Sequence, residues 1–383
     1  MFADLSVAAK HLHLTYHGVL RMGYLALRLS VSQKKYLNFP RFFNLLAIVP
    51  LRLLANLRHH REIIQILQLP VYKGVTEKQP HLSLKYLKNE YLAYGLATPL
   101  RSASIRYHYK YISTALRPDL LRKILFERVV IYEYVNQDSR FEVNMSLSMP
   151  YHSEGEFSIT FDLENTAIFI LSFTIVPGFV VGLDVEATLL ISRLQGVRGC
   201  FTQIQHATKS MLEVSPQTVL VAALQGIAMA LGVQYIASVS SSTCVGNSNP
   251  KQPSTEFSTA YDDYFISRGA IKNQTGFFCL SLPFREKPLT LIKRDHRSRT
   301  RKKRRFVWQI SESVRDKLRE YCQIPLSRTE SEASLPQTLS ATGHPTWRST
   351  PVTSESVAAI VPGAVALRRF SPASAGPETA PSP

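Results

Sequence analysis

The chain has 383 residues and carries 45 Lys+Arg against 28 Asp+Glu, a net charge of +17. With 45% hydrophobic and 10% aromatic residues it holds enough apolar material for a real core, which excludes a wholly disordered chain. Its four cysteines, Cys200, Cys244, Cys279 and Cys322, lie far apart, so neither a short-spaced zinc or redox motif nor a disulfide scaffold is indicated.

The start, MFADLSVAAKHLHLTYHGVL, lacks a basic segment followed by an uninterrupted apolar run, so no secretory signal is read there. Residues 1–68 read as helical and basic. Phe42, Phe43, Leu45, Leu46, Ile48, Leu51, Leu53 and Leu54 give a broad apolar surface, decorated by Arg52, Arg58, His59, His60 and Arg61. Such a stretch either packs on the domain beneath it or lies on a membrane surface. Further helices are predicted over 84–95 and over 118–126, the second opened by Pro118.

The apolar period then changes from helical to two. Val130–Val135, Phe141–Met149 and Phe157–Leu163 alternate apolar with polar residues, as half-buried antiparallel strands do. The uncharged run Thr166–Leu183 reaches 18 residues, the lower limit for a spanning helix. Pro177-Gly178 and the β-type residues Ile168, Phe169, Ile170, Phe173, Ile175 and Val176 make it one or two buried strands instead. A strand at 187–193 follows, then helices over 201–211 and 216–231, the latter between Ser215-Pro216 and Gly232. A strand at 235–239, a helix over 261–267 stopped by Gly269, and a strand at 277–282 complete an α+β order around one mixed, mainly antiparallel sheet. The predicted organisation is a basic helical region 1–76, an α+β core 77–292, a basic block with a C-terminal helix 293–322, and a disordered Pro/Ser-rich tail 323–383. From Pro325 onward the tail holds 9 prolines and 10 serines in 59 residues.

Charge is segregated. Residues 1–128 hold 20 basic and 6 acidic residues, residues 129–292 hold 9 and 14, and Lys293–Arg305 alone holds 9 and 1. Basic fields of this kind attract polyanions: an anionic membrane surface or envelope component, a phosphorylated cofactor, or nucleic acid. Aromatic residues are absent inside the basic run, which disfavours a nucleic-acid platform.

The segment Arg193-Leu194-Gln195-Gly196-Val197-Arg198-Gly199 joins a buried strand to a helix. Its glycines permit a tight turn with exposed N–H groups, the helix start adds positive potential, and Arg193, Arg198 and Lys209 supply full charges, a pattern suited to a pyrophosphate. A plain tight turn packed on the sheet is the competing reading. Tyr261-Asp262-Asp263-Tyr264 offers carboxylates, but neighbours on a helix point about 100° apart and do not converge. His108, between Tyr107 and Tyr109, is read as a buried, hydrogen-bonded histidine. No histidine set has a credible metal geometry.

LISRLQGVRGCFTQIQHATKSM, SPQTVLVAALQGIAMALGVQYIASVS, AYDDYFISRGA and the Arg-rich block after FFCLSLP resemble the VirK family of Gram-negative bacteria. LRLLANLRHHREIIQIL and the Arg101…His108-Tyr109 region are similar too, so that the likeness spans roughly 45–315. It implies a role in virulence, cell-envelope and outer-membrane remodelling and resistance to antimicrobial peptides, with a cytoplasmic protein peripheral to the inner membrane. The order of elements also resembles the acyl-CoA N-acyltransferase fold. That likeness implies an acyl-CoA or other pyrophosphate-containing ligand at Arg193, Gln195, Gly196, Arg198, Gly199 and Lys209. It also implies Tyr261 or Tyr264 as the acid that protonates a leaving thiolate.

Overall fold

The computed structural model of the chain describes residues 52–323, apart from residues 54, 80–81, 137–138, 150–152 and 247–254. The basic region before residue 52 and the Pro/Ser-rich tail beyond 323 lie outside the described residues.

Helix α1 (Leu57–Leu67) buries His60, Ile63 and Leu67, an i, i+3, i+7 stripe. A 3₁₀ turn (Pro70–Tyr72) and a single helical turn, α2 (Val75–Lys78), follow. The helix predicted over 84–95 does not form. Leu82–Leu87 is a 3₁₀ turn whose six residues are all buried, and the chain then leaves helical geometry, with Leu92 at φ 67°. Its backbone bonds outward instead: Leu92 N–H donates to Ser153 O (2.8 Å) and Tyr94 N–H to Thr243 O (2.9 Å). α3 (Thr98–Ala115), which the apolar pattern does not announce, and α4 (Pro118–Phe126) each begin with proline in the first turn.

Eight strands form one sheet in the order β1-β2-β3-β4-β5-β6-β8-β7. β1 (Val129–Val135), β2 (Arg140–Leu147), β3 (Phe157–Leu163), β4 (Thr166–Val176) and β5 (Thr188–Gly196) are an antiparallel meander. Phe141, Val143 and Met145 of β2 share a face with Phe157, Ile159 and Phe161 of β3 and Leu171 and Phe173 of β4. The opposite face carries Glu142, Asn144, Ser158, Asp162 and Ser172, and these are buried as well. The alternation therefore identified the apolar face, while the polar face is covered rather than wet. The 18-residue uncharged run resolves into β4 and a 3₁₀ turn, Gly178–Val181.

α5 (Phe201–Ser210) and α6 (Pro216–Ala230) follow β5, with Ser215 Oγ accepting the Thr218 N–H as N-cap. β6 (Tyr235–Ser238) then enters parallel to β5. α7 (Thr255–Ser258), a π-helical turn (Thr259–Asp263) and α8 (Tyr264–Ser267) run on from one another, so the predicted helix starts a turn and a half early. β7 (Ile271–Lys272) and β8 (Phe278–Ser281) pair antiparallel, and β8 closes on β6. α9 (Arg294–Arg319) is the last helix of the described residues. α3 packs on α1, α4 and β4, α4 packs on β2, α6 lies across β3–β6, and α9 packs on α6 and β1. One hydrophobic cluster runs from Leu53 to Leu318.

α6 and α9 approach closely at Gly226. A Cβ there would stand 2.4 Å from Ser311 O and 2.8 Å from Val314 Cβ. Ser311 Oγ donates to Ala222 O (2.9 Å) and accepts from Gln225 Nε2 (3.1 Å) in the same contact. On an open helix Gly→Ala gains about 1 kcal/mol of helix propensity. At Gly226 the overpacking outweighs it, so Gly226→Ala is expected to lower stability by about 1–3 kcal/mol, read as a drop in the thermal unfolding midpoint.

Candidate functional site

β5 and β6 pair only over Leu189–Ile191 and Ile236–Ser238. β5 continues to Gly196 beside β4, whereas β6 ends at Ser238 and turns away through Ser240–Cys244. The register of β5 on β4 also slips between Ile191 and Arg193, so that Ser192 is an extra, bulged residue. Parallel strands that separate at their carboxyl ends open a crevice, the usual ligand position in open sheets.

The crevice is filled with polar groups. The π-helical turn carries Tyr261, 1% exposed, and its hydroxyl accepts the Leu194 N–H (2.9 Å), which a neighbouring strand would otherwise take. Burial, then the adjacent Cys244 thiol to which it is hydrogen-bonded, raise the Tyr261 hydroxyl well above its ordinary value, so it stays protonated. π-turns recur at functional positions because they re-aim one side chain. Asp262 accepts from Ser241 N–H (2.7 Å) and Oγ (2.8 Å), and so pins the turn that holds Cys244. Glu154 reaches the same place from the β2–β3 connection. Its Oε2 lies 3.2 Å from Arg193 Nη1, while Arg193 Nε donates to Gln195 Oε1 (2.9 Å). Burial raises the Glu154 carboxyl above its ordinary value, and Arg193 only partly offsets this. Gly246 backs onto the pair, since a Cβ there would lie 3.3 Å from Glu154 Oε1.

The residues singled out from the sequence thus divide. Arg193 and Gln195 point into the crevice with Tyr261. Gly196, Arg198 and Gly199 form the exposed turn before α5, with Gly199 at φ 86°, a conformation that favours glycine. Lys209 is in the last turn of α5, about 12 Å along the axis from that turn. Tyr264 stands apart from Tyr261: its ring lies under the Arg268 guanidinium (5.3 Å) and its hydroxyl has no partner among the described residues. Asp263 is exposed, so the two carboxylates do not converge. Glu154 and Cys244 were not visible as site residues, because neither sits in a motif and only the fold joins them to β5.

Beneath the crevice, Glu156 is wholly buried. Its Oε1 accepts from Tyr91 Oη (2.8 Å) and lies 3.4 Å from Lys85 Nζ, and its Oε2 accepts from Tyr109 Oη (2.5 Å). Burial alone would raise this carboxyl, but Lys85, His108 and the two tyrosine donors outweigh it and hold it below the ordinary range. His108, also fully buried, accepts the Ile175 N–H at Nδ1 (3.1 Å). Burial lowers its pKa to about 4, with Glu156 opposing and Lys85 adding to the shift.

The family model described as a protein of unknown function, DUF535, matches residues 47–316. No curated protein and no solved structure matches the chain.

The His108 shift fixes a pH response. The unfolded histidine takes up a proton near pH 6.5 and the folded one only near 4, so stability is lost as pH falls across that window. About 2 kcal/mol should disappear between pH 7 and pH 5. The lowered Glu156 adds a further loss below its ordinary pKa. Urea unfolding at the two pH values is expected to show this, and His108→Asn, which keeps an acceptor for Ile175 N–H, is expected to flatten it.

Proposed function

We propose, for a chain that belongs to the DUF535 family of proteins of unknown function, that it is an acyltransferase-like enzyme drawing on an acyl-CoA-type thioester at the β5–β6 crevice. The observation that carries this reading is the separated parallel pair, with Tyr261 on the Leu194 N–H beside a glycine turn that leads into a helix. The strand order agrees with the acyl-CoA N-acyltransferase likeness read from the sequence: an antiparallel meander, the glycine turn, a parallel strand, a tyrosine-bearing helix and a final antiparallel pair. Fold likeness alone does not fix chemistry, so the residues have to carry it.

The turn suits a pyrophosphate. Arg198 and Gly199 are exposed, as are Phe201–Gln203 in the first turn of α5 at the positive end of the helix, while the Val197 and Cys200 N–H groups donate to Ile168 O and Val197 O. Arg193 is engaged with Glu154 and Gln195, so in this reading it organises the crevice while Arg198 meets phosphate. A thioester donor of this class supplies an activated acyl group. Tyr261, held protonated by burial, donates its proton to the departing thiolate. Glu154, whose raised pKa brings it nearer neutrality, accepts the proton that an attacking amine must lose. The envelope role implied by the VirK likeness would then supply the acceptor: a lipid, peptide or protein of the envelope.

The test is calorimetric titration of the full chain with coenzyme A and acetyl-coenzyme A, beside a thiol-release assay with amine acceptors. Arg198→Ala is expected to weaken binding about tenfold, the loss of about 1.4 kcal/mol. Tyr261→Phe is expected to bind within about twofold of the parent and to lose at least about 100-fold in turnover. Absence of saturable binding at millimolar ligand would sink the enzyme reading and leave that of a non-catalytic envelope accessory factor.

A further inference from the structure

α9 is two helices in one. Its second half is core: Phe306, Ile310, Ser311, Val314 and Leu318 are buried. Its first half, Arg294–Arg305, buries nothing, yet it is in register with the packed half and therefore rigidly presented. The fold accounts for part of its composition, since Arg297 holds the Ile292 and Thr290 carbonyls (2.9 and 3.1 Å), Lys303 that of Glu213 (3.2 Å) and Arg304 that of Lys287 (2.6 Å), but not for the rest. Arg294 and Arg297 sit at the positive end of the helix dipole, and Arg297, Arg301 and Arg305 repeat at i, i+4, where like charges repel.

This half forms one wall of a groove of about 750 Å³, opposite the start of α6, Arg268 and the segment Phe284–Leu289. Arg285, Lys287, Arg301 and Arg305 line it and form no ion pair among the described residues. Two acids are present, and both are already engaged: Glu213 with Arg299 and Lys303 (3.2 Å), Glu286 with Arg304 (2.8 Å). At its edge Trp308 is 39% exposed, and Leu291, just before α9, is 65% exposed. Unpaired cations beside an exposed indole are what an interfacial surface needs: charges for phosphates, an amphipathic ring for the headgroup boundary. A nucleic-acid platform would call for successive exposed aromatic faces, whereas the aromatics lining the groove are Trp308 and a half-buried Phe284 packed against the core.

We propose that the groove between α6, Phe284–Leu289 and the basic half of α9 seats the phosphate headgroups of an anionic lipid bilayer, with Trp308 entering the interface. The proposal does not rest on acyl transfer at the crevice. It is tested on the full chain in a Trp347→Phe background, where Trp308 is the only tryptophan. The probe is vesicle sedimentation and tryptophan emission, with phosphatidylcholine vesicles containing about a third phosphatidylglycerol against phosphatidylcholine alone. Expected are saturable binding to the anionic vesicles only, a steep fall with salt, and a blue shift of Trp308. Arg301→Gln/Arg305→Gln should weaken binding at least about tenfold, and Arg122→Gln/Lys123→Gln, the same charge change on exposed residues of α4, less than about threefold. Thermal unfolding of both variants shows whether they remain folded. Equal losses in the two variants, binding without an emission shift, or tighter binding to duplex DNA than to anionic vesicles would each overturn it.

Discussion

The carboxylate of Glu156 is the constraint around which the rest of the molecule is arranged. A buried charge without partners costs several kcal/mol, so its presence demands Lys85, Tyr91 and Tyr109 together. Those three come from a 3₁₀ turn, an irregular segment and a helix, so one side chain ties three otherwise separate pieces of the N-terminal region to the sheet. Tyr72 extends the tie, with its hydroxyl donating to Tyr109 O (2.5 Å). The backbone of Glu156 is held as firmly as its side chain. Its N–H donates to Phe173 O (3.2 Å) and Thr174 Oγ1 (3.0 Å), and its carbonyl accepts from Ser148 N–H (2.8 Å). Glu154, two residues away, inherits this rigidity. The same irregular segment bonds Ser153 on one side and Thr243 on the other, and so fixes the distance between the loops that deliver Glu154 and Cys244.

Two strands of the sheet outrun their neighbours, and each is finished by a side chain. β4 extends past β3, and His108 takes the Ile175 N–H. β5 extends past β6, and Tyr261 takes the Leu194 N–H. Both solutions satisfy a backbone donor that burial would otherwise leave costly. They differ in what lies around them. His108 is enclosed by Tyr109 and Phe157 rings and held neutral, which makes it a structural cap. Tyr261 adjoins Cys244 and Glu154, so the second strand end is finished among polar and titratable groups rather than among rings.

The meander was legible because its first three strands alternate cleanly and the turns after β1 and β3 are short and polar. α6 was legible through Ser215-Pro216 and Gly232, both local signals. α3 was not, because Tyr107, His108, Tyr109 and Tyr111 put aromatic groups on all sides of the helix and erase the apolar stripe. The segment after Lys85 failed for the opposite reason. Its residues have a helical spacing, but Lys85 and Tyr91 are drawn inward by Glu156, some 70 positions on, and no local pattern encodes that. The glycine turn and Tyr261 were found by residue type. Their division into an exposed turn and a buried polar part depends on the bulge at Ser192, which alternation cannot show because the bulge is a break in alternation.

The charge segregation seen in the sequence gains a geometric meaning from α9. Residues 129–292 are slightly acidic and contain Glu154, whereas the basic block adds nothing to the core. A flexible basic tail would present its charges in many directions. Here the contact of Gly226 with Ser311 and Val314 locks the helix phase, so Arg301, Arg305 and Trp308 stay on the side facing Arg268 and Arg285. The glycine that makes the core tight is therefore also what converts a run of positive charge into a directed surface. One helix thus joins the core to the groove: its apolar half fixes the orientation in which its charged half is presented.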